Sequence, residues 1–296
     1  MMNCCTLCPR NCKANRTDGK TGFCRQTDEL RVARAALHFW EEPCISGSKG
    51  SGTVFFSGCT LGCIYCQNRS IALGESGKTI TPQRLTQIFF ELEEQGAHNI
   101  NLVTPTHYVP TIAKCIANAK QKGITIPFVY NTGGYEKADT LKLLDGLIDI
   151  YMPDFKYWSE STAKNFSFAA DYPQAVKKAI DEMVRQCPKF VYDDEGIMQK
   201  GVIVRHMLLP KHVYEAKRIL TYLHESYGEK IVYSIMSQYT PITRFDSFDE
   251  LNRKVTKKEY DSLVNYAIEL GIENAYIQDG EAASESFVPP FDNFGV

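Results

Sequence analysis

From Thr53 onward, short apolar runs alternate with segments of helical periodicity, and this rhythm restricts the fold more than any other feature of the chain. TVFFSG (53–58) has the length and content of a buried strand. TPQRLTQIFFELEEQG (81–96) predicts a helix with Thr81 as N-cap, Pro82 at its first position and Gly96 closing it. The pattern continues with a strand at 99–105, a helix at 109–123, a strand at 124–131, a helix across KADTLKLLDG and a strand at 147–155. Helices at 159–166 and 172–187 precede an irregular excursion at Asp193-Asp194-Glu195-Gly196. A strand at 202–208, a helix at 213–228, a strand at 229–238, a helix at 256–271 and a strand at 273–280 complete the series. Strands alternating with helices imply parallel βαβ units. Roughly six or seven such units point to an α/β class and a full or partial barrel, whose chemistry sits at the C-terminal strand ends.

Composition narrows the partners. Hydrophobic residues make up 44% and charged residues 23% of the 296 positions, enough to fill a core and too much apolar content for a disordered chain. Thirty-three Lys and Arg against 35 Asp and Glu leave a net charge of -2, without the basic footprint of a nucleic-acid binder. No apolar run reaches the roughly 18 residues of a membrane span, and MMNCCTLCPRNCK lacks the apolar core of a signal peptide. The expected location is cytoplasmic, with no nucleic-acid or membrane partner.

The 11 cysteines are unevenly placed. Cys4, Cys5, Cys8, Cys12 and Cys24 crowd the N-terminus, Cys59, Cys63 and Cys66 form a second group, and Cys44, Cys115 and Cys187 stand apart. A disulfide framework fits poorly with an odd count, a long chain and no export signal. Close clusters instead suit a metal or an iron–sulfur cluster. Cys5-x2-Cys8-x3-Cys12-x11-Cys24 presents four thiols at metal-ligand spacing, a closed set that suits structural zinc or an iron–sulfur cluster, with Cys4 able to replace Cys5. Arg10, Lys13, Arg16 and Lys20 among them read as a solvated basic face. Residues 1–50 are therefore expected to be a metal-binding segment ending in SGSKGSG, and residues 51–296 the barrel with a C-terminal extension.

Gly58-Cys59-Thr60-Leu61-Gly62-Cys63-Ile64-Tyr65-Cys66-Gln67-Asn68 follows the first barrel strand. Its C-x3-C-x2-C spacing supplies three thiolates and no fourth. Structural zinc takes four protein ligands, whereas a cubane on three cysteines leaves one iron open. Gly58 and Gly62 suit a backbone wrapped closely around something.

GCTLGCIYCQN resembles the signature of the radical S-adenosylmethionine (SAM) superfamily, with Tyr65 the aromatic before the third cysteine. The resemblance implies a partial (β/α)6-type barrel and a [4Fe-4S] cluster on Cys59, Cys63 and Cys66. It further implies SAM bound at the open iron, and a reductant such as flavodoxin or ferredoxin whose electron breaks the S–C5′ bond. It spans about residues 50–240 and is nearest to pyruvate formate-lyase activating enzyme-like proteins, in particular a longer subgroup with a cysteine-rich N-terminus. YMPDFKY (151–157) matches a D-x-K strand end, which places Lys156 toward the SAM carboxylate and Asp154 toward a cation or ribose. VIVRHMLLP (202–210) nominates Arg205, which needs an anionic partner if buried, from SAM or from a salt bridge. The usual Gly-Gly-Glu after the second strand is replaced by NLVTPTHY, where Thr104 is the nominee for the SAM amino group. Asn131, from NTGGYE, faces the cofactor, and Gln238 and Tyr239 line the substrate side. The implied activity is hydrogen abstraction that activates a glycyl-radical enzyme. Its alternatives are radical chemistry on a small molecule or another peptide, and a non-catalytic zinc or iron–sulfur interaction module. Admitting a folded loop requires a laterally open barrel, which the N-terminal segment or residues 240–255 would cover in part.

Overall fold

The computed structural model describes residues 3–278 and 288–296. The chain enters the sheet through β1 (Leu30–His38), turns through the short α1 (Pro43–Ser46) and returns antiparallel as β2 (Ser51–Phe56). After the cysteine loop come α2 (Arg69–Ala72), β3 (Lys78–Ile80) and α3 (Pro82–Glu94). The alternation then runs β4 (Ile100–Val103), α4 (Val109–Gln121), β5 (Phe128–Thr132), α5 (Ala138–Leu141), β6 (Ile150–Pro153), α6 (Glu160–Ser167) and α7 (Tyr172–Gln186). It ends with β7 (Val191–Tyr192), β8 (Met198–Met207), α8 (Val213–Tyr227), β9 (Val232–Met236), α9 (Lys257–Glu269) and β10 (Ala275–Ile277). Residues 279–280, expected in the last strand, lie outside the described residues.

The sheet order is β10-β9-β8-β6-β5-β4-β2-β1-β3, with β2, β4, β5, β6, β8, β9 and β10 parallel. Strands β2, β5, β6 and β9 are buried along their whole length, which is why they read as unbroken apolar runs. The helices cover one face. In α3, Thr81 accepts the Arg84 N–H as N-cap, and Leu85, Ile88, Phe89 and Leu92 form the apolar stripe turned to the sheet. The other face is set by strand alternation: Val129, Ile150, Met152, Ile203 and Val232 share it, and they pack on Cys44 and Ile45 of α1. The short α1, in the segment before β2, therefore packs on this second face of the sheet. Continuing the same alternation, Asn131, Asp154 and Arg205 extend this face at the C-terminal ends of the parallel strands.

Three local outcomes differ from the sequence reading. Residues 30–38, assigned with the cysteine-rich segment, are a strand of the main sheet, paired to β2 on one side and β3 on the other. The excursion at 193–196 is a hairpin turn in which Asp193 accepts the Glu195 and Ile197 N–H groups, so β8 begins at Met198 rather than 202. The helix over KADTLKLLDG is one turn followed by a 3-10 turn at Lys142–Leu144. Among the described residues no helix is long and apolar enough to cross a membrane.

Candidate functional site

The loop leaving β2 carries Cys59, Cys63 and Cys66. Gly58 and Gly62 have φ of +86° and +67°, and the packing is as demanding as the backbone. A Cβ on Gly58 would stand 2.5 Å from the Cys24 carbonyl, and one on Gly62 would meet the Phe23 ring at 2.9 Å. Both glycines thus let the N-terminal segment press against the loop. The Leu61 N–H points at Cys59 Sγ (3.4 Å), and Ser167 Oγ donates to Cys63 Sγ (3.1 Å). Burial pushes the Cys66 thiol up to about 12, and the neighbouring thiols push the same way. Cys59 is raised by burial and by Cys63, while Lys156 pulls Cys59 and Cys66 back down. Such thiols keep their protons until a metal displaces them. Among the described residues no three His, Cys, Asp or Glu side chains converge on a single-ion site. Three soft donors with N–H and O–H groups turned to sulfur suit a multi-iron cluster, whose ligand sulfurs stand farther apart than those around one ion.

Arg205 anchors the floor beside this loop. Its Nε donates to Asp154 Oδ1 (2.8 Å), one Nη to Asn131 Oδ1 (2.7 Å), and the other pairs with Glu41 Oε2 (3.2 Å). Lys156 Nζ holds the second Asp154 oxygen at 2.6 Å. Burial raises Asp154, but Arg205 and Lys156 outweigh it and keep the carboxyl below its ordinary value. Glu42, next along, accepts from Ser234 Oγ (2.7 Å). Burial pushes both Glu41 and Glu42 up, against the pull of Arg205. Three carboxyls (Asp154, Glu41, Glu42) thus face two cations (Arg205, Lys156), and burial works against ionisation of Glu41 and Glu42. The anionic partner expected of Arg205 is internal and double. Sequence reasoning missed Glu41 and Glu42, whose only local signal is a Glu-Glu-Pro after an aromatic pair.

Above Arg205 and Asn131 opens a cavity of about 760 Å³, bounded also by Glu41, Glu42, Gln67, Asn68, Val103 and Gln238. Gln67 and Asn68 directly follow Cys66, so the cavity adjoins the cysteine loop. Lys156 does not border this cavity; its charge acts on the Cys59 and Cys66 thiols. Tyr65 is buried among Tyr157, Phe166 and Tyr239, with its hydroxyl on that of Tyr157 (2.7 Å). Tyr239 belongs to this aromatic group and donates to the Leu251 carbonyl (2.7 Å), so of the two nominees for the substrate side only Gln238 reaches the cavity.

Thr104, where Gly-Gly-Glu is usual, adopts φ +58°, a left-handed conformation that favours glycine, and its N–H bonds the Asn131 carbonyl (2.9 Å). The loop beyond it is locked to Glu136, which accepts from Thr106 (2.5 Å), Tyr130 (3.3 Å) and Thr132. Burial pushes the Glu136 carboxyl up to about 7 despite those three donors. A carboxyl raised from 4.5 to about 7 lends stability below pH 4.5 that is lost as pH climbs through 7, on the order of 3 kcal/mol. Glu136→Gln is therefore expected to flatten the fall in unfolding free energy between pH 5 and 8. Urea titrations at several pH values measure this, and an equally steep fall in the variant contradicts it.

The family model that describes the radical SAM superfamily matches residues 53–223, more than half of the chain. The chain belongs to the radical SAM superfamily. An uncharacterized protein of Methanocaldococcus jannaschii is 26% identical over 282 residues, covering 92% of this chain and 76% of its own. Among solved structures, Streptococcus suis SuiB bound to S-adenosylmethionine aligns with a TM-score of 0.51 at 13% identity, over 76% of this chain and 49% of SuiB. The FeFe-hydrogenase maturase HydG from Carboxydothermus hydrogenoformans aligns with a TM-score of 0.50 at 12% identity, over 72% of this chain and 49% of HydG. The chain thus spans about half the length of these structures, and at such identity the likeness shows the fold: a mostly parallel α/β sheet of the partial radical SAM barrel type.

Outside the region matched to the radical SAM superfamily, the N-terminal cysteines form a compact unit docked on the cysteine loop. Cys5, Cys8 and Cys24 are buried, whereas Cys4 and Cys12 are exposed. Burial pushes Cys8 up to about 12, with Glu136, Cys24 and Cys5 adding to it. Of the basic residues here, Lys13 and Lys20 are exposed as expected, but Arg10 and Arg16 are not part of a solvated face. Arg16 is fully buried and donates to the Gln26, Thr27 and His107 carbonyls. Arg10 stacks on Phe23 (3.7 Å) and donates to the carbonyls of Thr60 (2.9 Å), Leu61 (3.1 Å), Ser167 (2.8 Å) and Phe168. One guanidinium therefore ties the N-terminal unit, the cysteine loop and the end of α6 together.

Proposed function

We propose that this radical SAM protein binds a [4Fe-4S] cluster through Cys59, Cys63 and Cys66 and SAM in the adjoining cavity, and abstracts a hydrogen atom from a substrate that enters the same cavity. The observation that carries this reading is the Arg205 floor. It borders a cavity of about 760 Å³ whose wall includes Gln67 and Asn68, the two residues after Cys66, and whose size is within the usual range for a cofactor and substrate site. When bound, cluster and cofactor supply reductive cleavage to methionine and a 5′-deoxyadenosyl radical.

The chain's own residues bind and orient. Arg205 and Asn131 offer polar groups to the ribose and carboxylate, Asp154 fixes Arg205, and Lys156 moderates the negative charge of the thiolates. Thr104 serves through the backbone shape it imposes, and Tyr65 through its packing against Tyr157, Phe166 and Tyr239. Electrons come from a low-potential carrier of the flavodoxin or ferredoxin kind.

For the substrate, activation of a glycyl-radical enzyme is the reading that the resemblance to pyruvate formate-lyase activating enzymes supports. A second reading, a different peptide or a small molecule, is favoured by two observations. Cys44 and Ile45 of α1 pack on the second face of the sheet, and Thr104 stands where Gly-Gly-Glu is usual. SuiB, of the same fold, has also been solved with its precursor peptide SuiA. Anaerobic incubation with a glycyl-radical protein of the same organism separates the two readings. A glycyl doublet by electron paramagnetic resonance at near-stoichiometric yield establishes activation. Its absence, together with deuterium transfer from another substrate into 5′-deoxyadenosine, establishes the second.

Cys5, Cys8, Cys12 and Cys24 are, on this reading, the ligands that close around a second metal group, zinc or an iron–sulfur cluster, when it binds. Metal bound at such a site is folding free energy, so Cys8→Ala is expected to lower the melting temperature by several degrees and remove one metal equivalent. Unchanged melting and metal content overturn that site.

A further inference from the structure

A line of three buried hydroxyls runs from the cysteine motif's own aromatic to one of its thiols. Tyr65 and Tyr157 hydroxyls lie 2.7 Å apart, Tyr157 and Ser167 hydroxyls 2.6 Å apart, and Ser167 Oγ lies 3.1 Å from Cys63 Sγ. Ser167 is fully buried, and Tyr65 and Tyr157 are buried with it. The direction of donation follows from valence. A thiolate that ligates metal carries no proton and only accepts, so Ser167 spends its single O–H on Cys63. Ser167 must then accept from Tyr157, and Tyr157, its proton spent, must accept from Tyr65. The three O–H dipoles point one way, toward sulfur, and chained hydrogen bonds in a low-dielectric interior strengthen one another.

The surroundings hold this line in place. The Ile64 N–H bonds the Phe166 carbonyl (2.9 Å), which pins the loop to the last turn of α6, and Arg10 grips the Ser167 carbonyl at 2.8 Å. The tyrosine rings are wedged edge-to-face against Phe166. Turning the Ser167 hydroxyl away from Cys63 would also break its bond to the Tyr157 hydroxyl.

We propose that Ser167, oriented by Tyr157 and Tyr65, is a positioning residue that sets the reduction potential of the cluster through Cys63. A hydrogen bond to a ligating sulfur favours the reduced cluster, which carries one more negative charge, and so raises the potential. The chain makes the cluster easier to reduce by its one-electron donor. This inference rests on Cys63 being a cluster ligand.

The test is a redox titration of the anaerobically reconstituted full-length protein, followed by electron paramagnetic resonance of the reduced cluster. In Ser167→Ala the ratio of reduced to oxidised cluster at a fixed potential is expected to fall about tenfold, equal to about 59 mV for a one-electron couple. Tyr157→Phe should give a smaller fall and Tyr65→Phe the smallest. Tyr239→Phe, in the same aromatic group but outside the line, should give none. Equal potentials in all variants, or an effect in Tyr239→Phe as large as in Ser167→Ala, overturn the proposal. If Ser167→Ala does not load a cluster, the two phenylalanine variants in the line decide alone, and wild-type values in both overturn it. Failure of the underlying reading looks different: the unaltered protein would then take up no cluster in the barrel, and no signal would be present to titrate.

Discussion

Replacing Cys59, Cys63 and Cys66 together by alanine is expected to abolish SAM cleavage while leaving the α/β sheet folded. The three thiols sit on a loop beyond the end of β2, where Cys59 and Cys63 pack only against the margin of a core built by the strands and helices. Without the thiols the proposed cluster has no ligands, and the electron that cleaves SAM has no route to it. Production of 5′-deoxyadenosine should fall to background, at least about a thousandfold, since enzymes commonly accelerate their reactions by 10⁶ or more. Far-ultraviolet circular dichroism should remain that of the unaltered protein. Chromatographic quantitation of 5′-deoxyadenosine and iron counting check both halves. Full iron above the N-terminal content in the triple variant contradicts the assignment.

The second large effect belongs to Arg205. Its guanidinium joins Asp154, Glu41 and Asn131, with each charged side chain about one-seventh exposed or less. Removing one partner from a buried ion pair leaves uncompensated charge and costs about 3–5 kcal/mol. Arg205→Met, which keeps much of the volume, should therefore lower stability by about that amount, and Arg205→Lys by less, because the fork is lost but the charge remains. The pH dependence has a definite sign. Glu41 and Glu42 are raised by burial and pulled down by Arg205, so without Arg205 their carboxyls rise further. A raised carboxyl contributes stability that is present at low pH and lost as pH increases. The deficit of Arg205→Met should hence grow from pH 5 to pH 8. Urea unfolding across that range measures it, and a deficit that shrinks with pH contradicts the account.

What the sequence revealed follows from the range of the interactions involved. The three-cysteine loop was legible because its ligands are neighbours in the chain, and β4, β5, β6 and β9 because buried parallel strands are apolar on both faces. Strand β1 was not. A register irregularity between Val32 and Arg34 breaks the period of two, and Arg31 and Arg34 interrupt its apolar run. Glu41 was missed because its partner Arg205 lies 164 positions away, and no local pattern announces such a pair. Arg10 misled for a related reason. A basic residue in a polar loop reads as solvated, yet the fold brings four carbonyls around it.

The central claim is that the three thiols and the Arg205 floor form one SAM-cleaving site. Its most direct test is anaerobic reaction of the reconstituted protein with SAM and a strong one-electron reductant, with products measured over time. Methionine and 5′-deoxyadenosine appearing in equal amounts, dependent on both cluster and reductant, is the result this account predicts. A fully loaded, reduced cluster that leaves SAM intact would contradict it.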